Sequence, residues 1–264
     1  MSKNSKRKGR KLKYAIVTGA SRGIGKYLSL SLLKKGYFVF LVSKSKENLN
    51  ILEKELTYYK GSYCLFPCDV SNLEDVKITF EQINCKTNNI DVLINCAGIS
   101  KVTLLEDENV QDWINQINVN LNGTYYFSKE VYKSMKNNNF GRIINISSLY
   151  GLIGGEGYSA YCASKHGVIG LTKSMALECA KYNITVNSIC SGWVETDMFY
   201  NDMEELSEKY NIDKNILIDE EKIAIPTKRF TGLDEISDLV IYLISNSAKN
   251  ITGQSINISG GLAI

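Results

Sequence analysis

At 264 residues, with 44% hydrophobic and 22% charged residues, the chain has the make-up of a globular protein with enough apolar material to cover both faces of one sheet. Its net charge of +3 is uneven, because Lys3, Lys6, Arg7, Lys8, Arg10, Lys11 and Lys13 precede the first apolar run with no acid among them. No aromatic residues interleave this basic head, so a solvated tail is expected rather than a nucleic-acid or membrane contact, the alternative being a nucleic-acid module whose affinity would vanish on deleting 1–11. No apolar stretch follows it and no run nears the ~18 apolar residues of a membrane span, so neither a secretory signal nor a membrane span is expected.

Along the chain, short β-rich runs alternate with helical periodicity, which predicts a parallel sheet. A strand at 14–18 leads through a glycine turn into a helix at 23–35, followed by strand 37–42, helix 46–59 and strand 62–66. A helix at 71–87 opens on Ser71 with Glu74 three positions on, the pattern of a capping box. Strand 90–95, a helical stretch at 108–137 broken near Asn118, strand 141–147, helix 158–181 and strand 183–189 come next. Asp234 opens the last helix, 234–246, and strand 254–258 closes the series. Several of these strands are apolar almost throughout, as burial on both faces requires. The whole predicts one α/β domain over 13–264, a Rossmann fold with a doubly wound, parallel, seven-stranded sheet flanked by helices, behind a solvated tail at 1–12. Only 193–230 breaks the rhythm; polar, acid-rich and long, it reads as a loop lying over the sheet's carboxyl edge as a substrate lid.

The seven cysteines, at 64, 68, 85, 96, 162, 179 and 190, include no CxxC pair and no zinc-site spacing. They read as buried thiols of a cytoplasmic protein, with no metal site expected.

Directly after the first strand stands Thr18-Gly19-Ala20-Ser21-Arg22-Gly23-Ile24-Gly25. Glycines at 19, 23 and 25 permit positive φ and let the backbone approach a pyrophosphate, while the helix that follows offers free N–H groups. The second strand ends without the acid that holds an NAD ribose; Ser43-Lys44-Ser45-Lys46 stand there, and Lys44 with Arg22 can neutralise a 2′-phosphate. NADP(H) is therefore favoured over NAD(H). Tyr161 and Lys165 lie four apart in a helical pattern and share one face, where an ammonium favours the phenolate and the pair can exchange a proton with a substrate oxygen.

TGASRGIG at 18–25, DV at 69–70, NCAG at 95–98, NVNLNG at 118–123, ISS at 146–148 and YCASK at 161–165 occur together and in order. From about residue 12 onward the chain resembles the short-chain dehydrogenases/reductases. The resemblance implies that Tyr161 is the proton donor in reduction and that Lys165 holds the nicotinamide ribose and lowers the tyrosine pKa. It also implies that Ser148 bonds the carbonyl oxygen and that Asn120 holds a water linking Lys165 to solvent. For the cofactor it implies contacts from Asp69 and Val70 to adenine, from Asn95, Ala97 and Gly98 near the ribose, and from Gly192, Val194 and Thr196 near the nicotinamide. Two departures stand out: Cys96 replaces an asparagine, and Ser191 before Gly192 replaces a proline, which is expected to loosen that turn.

Within the family, the similarity runs to 3-oxoacyl-acyl-carrier-protein reductases and aromatic polyketide ketoreductases. It implies reduction of a 3-keto group on an acyl or polyketide thioester, free or bound to a carrier protein, by a homotetramer. A 3-hydroxybutyrate or other secondary-alcohol dehydrogenase is the alternative. A dinucleotide-binding regulator without turnover is a more distant one, which the complete set Asn120, Ser148, Tyr161 and Lys165 speaks against. His166, the only histidine, adjoins Lys165 without a nucleophile elbow and reads as an ordinary helix residue. Trp113 and Trp193 read equally as substrate contacts or packing.

Overall fold

The computed structural model of the chain describes residues 12–263, so the tail expected at 1–12 falls, apart from Leu12, outside the described residues. One sheet holds β1 (Lys13–Thr18), β2 (Tyr37–Ser43), β3 (Tyr63–Pro67), β4 (Val92–Asn95), β5 (Gly141–Ile146), β6 (Ile184–Ser191) and β7 (Ser255–Ile258). Every pairing is parallel, in the order β3-β2-β1-β4-β5-β6-β7. Parallel neighbours need long crossovers, and α1 (Gly23–Lys34), α2 (Lys46–Glu55), α3 (Leu73–Asn84), α4 (Val110–Ile117), α5 (Gly123–Asn138) and α6 (Ser159–Cys179) supply them. After β6 come α7 (Asp197–Tyr210), α8 (Lys214–Ala224) and α9 (Leu233–Leu243). The expected single seven-stranded Rossmann domain is what the chain forms.

Most of the strands are largely apolar because the sheet is covered on both sides. On β1, Ala15 and Val17 join a core with Leu28, Leu32 and Val240, while Ile16 between them joins a second core with Phe80, Phe127 and Val131. Val39 and Leu41 alternate with Phe40 and Val42 on β2 in the same way. A period of two sends successive side chains to opposite faces, and each fully buried Val, Leu, Ile or Phe contributes about 1.5–3 kcal/mol. The winding reverses between β1 and β4, so the crevice for a ligand lies at their carboxyl ends.

Three local expectations change and a fourth, the helix break near Asn118, is met. Asn72, not Ser71, caps α3, its side chain accepting the Glu74 and Asp75 N–H groups, because the Asp69 carboxylate has already engaged Ser71. Gly232 stands at the start of α9, and Glu235 rather than Asp234 reaches back to its N–H at 2.8 Å. The break expected near Asn118 is a π turn, Asn118–Asn122, between α4 and α5. The segment 193–230 is no loop: it carries α7, which buries Phe199 and Met203, and α8, which is capped by Asp213. Few apolar residues per turn hid that periodicity behind a polar composition. No described helix is long and apolar enough to cross a membrane.

Candidate active site

The carboxyl ends of β1, β4, β5 and β6 open into a cleft of about 750 Å³. The glycine turn forms one end. Gly19 has φ +65°, and a Cβ there would lie 2.8 Å from the Ala97 Cα; a Cβ on Gly25 would lie 2.1 Å from the Gly19 carbonyl oxygen. Only glycine allows this packing. No side chain caps α1, so its first N–H groups are left for an anion, and with Ser21, Gly23 and Ile24 they line the cleft. An extended dinucleotide fits this arrangement of bare backbone, open donors and length. The turn is tied to β2 by Ser21 Oγ at 2.8 Å from Ser43 Oγ and by the Ala20 N–H on the Val42 carbonyl.

Both expected phosphate-binding cations have acidic neighbours. Lys44 Nζ is 2.7 Å from the Asp69 carboxylate, and Arg22 is 4.0 Å from Asp197. Burial raises the Asp69 carboxyl, but Lys44 and the Ser71 hydrogen bonds outweigh it and hold the group below its usual value. With its side chain 78% exposed, Lys44 is held by a pair worth only about 0–1 kcal/mol, which a phosphate can displace. Val70 packs under Gly123, and Thr196 stands over Gly23, where an added Cβ would be 3.4 Å from its Cγ2.

Ala97, Gly98, Gly192 and Val194 line the cleft as expected. Asn95 does not. It is 3% exposed, and its amide donates to Ser128 Oγ and Asn145 Oδ1 at 3.0 and 2.9 Å, because the last residue of β4 points into a helix layer. Thr18 was not singled out, yet its Oγ1 accepts the Cys96 and Ala97 N–H groups at 3.0 and 3.1 Å and joins the ends of β1 and β4.

The reacting residues meet across β5 and α6. Lys165 Nζ lies 5.4 Å from the Tyr161 ring centre and donates to the Ile146 carbonyl at 2.9 Å. Ser148, just past β5, accepts the Tyr150 N–H at 3.2 Å and stands beside the Tyr161 phenol. Burial pushes the phenol above its usual value, with Ser148 offsetting part of the rise, and burial pushes the Lys165 ammonium down to about 8. The expected lowering of the tyrosine by Lys165 is therefore outweighed, because desolvation moves both groups toward their neutral forms. Asn120 sits in the π turn behind Gly98. Its Oδ1 accepts the Ile99 N–H at 2.8 Å, and its Nδ2 donates to Ile99 O and Ser164 Oγ at 2.9 and 3.0 Å. These bonds fasten the loop after β4 to α6, a bracing part beside the water-holding one the resemblance implied.

The turn after β6 is not loosened by Ser191: the strand runs through it to pair with Ile258, and the Gly192 N–H donates to the Ile258 carbonyl at 3.1 Å. Trp193 lines the cleft among Tyr150, Tyr158 and Phe199, its indole N–H held by Glu221 at 2.6 Å. Trp113 is 37% exposed on α4, and His166 bonds the Cys162 carbonyl on the outside of α6. Among the described residues no group of three or more His, Cys, Asp and Glu is placed to hold a metal ion.

Asp202, on α7, is the residue that sequence reasoning missed; it lines the cleft at 4% exposure, and nothing in the acid-rich run around it distinguishes it. Burial lifts its carboxyl from 3.8 to about 7. Since the folded state holds the proton more tightly, the stability this confers is complete below about pH 4 and is lost as pH rises through about 7. Asp202→Asn, neutral throughout, is expected to match the parent at about pH 4 and exceed it at about pH 8 by up to about 4 kcal/mol in denaturant titrations. Equal stability of the two at both pH values would contradict this.

A family model described as short chain dehydrogenase matches residues 13–207. A 3-oxoacyl-acyl-carrier-protein reductase of Thermotoga maritima is 37% identical over 252 residues, covering 96% of this chain and 98% of that protein. An actinorhodin polyketide ketoreductase solved with NADPH superposes with a TM-score of 0.91 at 33% identity, covering 96% of this chain and 97% of that one. An NAD+-bound xylitol dehydrogenase gives 0.89 at 29% identity, covering 94% and 98%.

Proposed function

Because the chain belongs to the short chain dehydrogenase family, we propose that it uses NADPH to reduce the 3-keto group of an acyl or polyketide thioester to a hydroxyl. As a family member it is an oxidoreductase of CH–OH and C=O groups that binds a dinucleotide. The observation that carries the proposal is the convergence of Ser148, Tyr161 and Lys165 on the cleft that the glycine turn opens. Similarity to the Thermotoga reductase and the polyketide ketoreductase supports the substrate class, free or carried on an acyl carrier protein.

A bound nicotinamide supplies the hydride; the chain does the rest. Ser148 holds the carbonyl oxygen against Tyr161. The phenol, kept protonated by burial, donates its proton to that oxygen as the alkoxide develops, which suits reduction better than oxidation. Lys165, still charged at neutral pH, stabilises the phenolate left behind. α7 and α8 serve as the lid that excludes water. Exposed apolar residues on α4, α5 and α6, among them Val110, Tyr125 and Leu177, suit contacts in a homotetramer, and the free thiols suit the cytoplasm.

NADPH is favoured by Arg22 and Lys44 and by the lack of an acid closing β2. Replacing both by alanine is expected to raise KM for NADPH at least about tenfold and leave KM for NADH within about twofold. An unchanged preference would remove the basis for NADPH. The likeness to the xylitol dehydrogenase supports a second reading, oxidation of a secondary alcohol with NAD+. Parallel assays decide between them: acetoacetyl thioester consumed with NADPH supports the reductase, whereas turnover of xylitol with NAD+ alone supports the dehydrogenase.

A further inference from the structure

Asp202 borders the cleft from α7, 4% exposed, and proton transfer makes no use of it. Its partners are the Ser100 and Tyr158 hydroxyls, which stand beside the carboxylate and offset part of the cost of burying it. Both hydroxyl oxygens are enclosed by protein, so what they engage is the helix and not a substrate. Ser100 belongs to the loop after β4, and Tyr158 is the residue from which α6 starts. One carboxylate therefore joins a lid helix to two segments that flank the reacting groups.

Further contacts follow the same line. One turn along α7, Glu205 accepts the Val102 N–H at 2.8 Å, and the Thr103 N–H donates to the Gly157 carbonyl at 2.8 Å. Lys209 reaches the same place: a Cβ on Gly157 would stand 3.6 Å from its Nζ. From Tyr158 the contact passes inward. Its ring centre is 4.6 Å from that of Tyr150, whose N–H is held by Ser148, and Tyr161 comes three residues later on α6. The position of α7 is thus transmitted toward both groups that meet the substrate oxygen. The charges around Asp202 do not neutralise it: Glu205 raises its pKa further, Glu221 of α8 accepts the Trp193 indole N–H, and Lys101 of the loop is paired with Asp112. Tyr150 and Tyr161 beside it are kept protonated by burial.

We propose that Asp202 is a positioning residue that latches the lid: by holding α7 against Ser100 and Tyr158 it closes the cleft and seats the start of α6, on which Tyr161 stands. The latch rests on the ketoreductase reading for the reaction it serves but not for its existence. Release of α7 exposes the carboxylate to water, where its pKa returns toward 3.8, so opening becomes easier as pH rises from about 4 to about 7 and levels off above that. A displacement of about 1 Å at a reacting group is enough to cost about 10²-fold in rate.

The test follows reduction of acetoacetyl thioester by the NADPH-loaded protein and, in parallel, hydrogen exchange of the full chain by mass spectrometry. Asp202→Ala is expected to lower kcat/KM for the ketone at least about tenfold with KM for NADPH within about twofold, whereas Asp202→Asn, which still accepts a hydroxyl hydrogen, keeps at least about half at pH 7. In Asp202→Ala the α7 amides exchange at least about tenfold faster while those of β5 do not. Between pH 5 and pH 7, α7 exchange in the parent rises at least about tenfold relative to Asp202→Asn, a ratio that cancels the intrinsic pH dependence of exchange. Ketone reduction within about twofold of the parent in Asp202→Ala, equal losses in the two variants, or an α7 exchange ratio that does not change with pH overturns the latch. If Asp202→Ala does not fold, Tyr158→Phe replaces it, keeping the ring on Tyr150 and losing only the hydroxyl; a loss of at least about threefold with faster α7 exchange sustains the latch, and parental values overturn it. If the parent does not reduce the thioester, the ketoreductase reading fails separately and the exchange ratios alone decide.

Discussion

Tyr161→Phe is expected to lower kcat/KM for ketone reduction by about 10²–10⁴-fold while dinucleotide affinity stays within about twofold. Phenylalanine keeps the ring that meets Tyr150 and Tyr158 at 6.4 and 6.3 Å, so the aromatic wall survives. What disappears is the hydroxyl beside Ser148, whose raised pKa holds a transferable proton at neutral pH. Cofactor titration and steady-state rates on one preparation separate the two effects. A variant that retained a tenth of the parental rate would show that the proton comes from elsewhere.

Gly25→Ala should abolish dinucleotide binding, weakening it at least about 100-fold. Its new methyl would stand 2.1 Å from the Gly19 carbonyl oxygen and 2.8 Å from the Gly19 carbonyl carbon, both backbone atoms that cannot swing aside as a side chain does. The turn would have to open and carry the α1 N–H groups with it. Gly36→Ala is the matched control: its φ of +83° makes the change unfavourable by about 1–2 kcal/mol, but nothing lies within 4 Å of the added carbon. It should melt lower and bind the dinucleotide normally. If Gly25→Ala bound as tightly as this control, the glycine turn would not be the phosphate site.

What could be read from the sequence is what depends on neighbours along the chain. The glycine turn, the Tyr161–Lys165 spacing and the seven strands are local patterns, and each has its expected place. Ser148 required the family's spacing, since nothing around it marks it as facing Tyr161. Contacts made across the fold stayed hidden. Asn95 and Cys96 are adjacent, yet one turns into a helix layer and the other lines the cleft, a choice made by strand register. The pairing of Lys44 with Asp69 joins the ends of β2 and β3, and its partner could not be inferred from the basic run alone. Ser191 lacks the proline's stiffness but gains a place in the β6–β7 ladder. Asp202 is one acid among many in its segment, and burial separates it from its neighbours.

The most direct test of the central claim is to supply NADPH deuterated at its transferable position together with acetoacetyl thioester and to locate the label in the product by mass spectrometry. The account predicts one deuterium on the new carbinol carbon of the 3-hydroxyacyl thioester for each NADPH consumed, and label transfer about 10²–10⁴-fold slower with Tyr161→Phe. NADPH that binds but passes no label to this or a ring-bearing 3-oxoacyl thioester would contradict it.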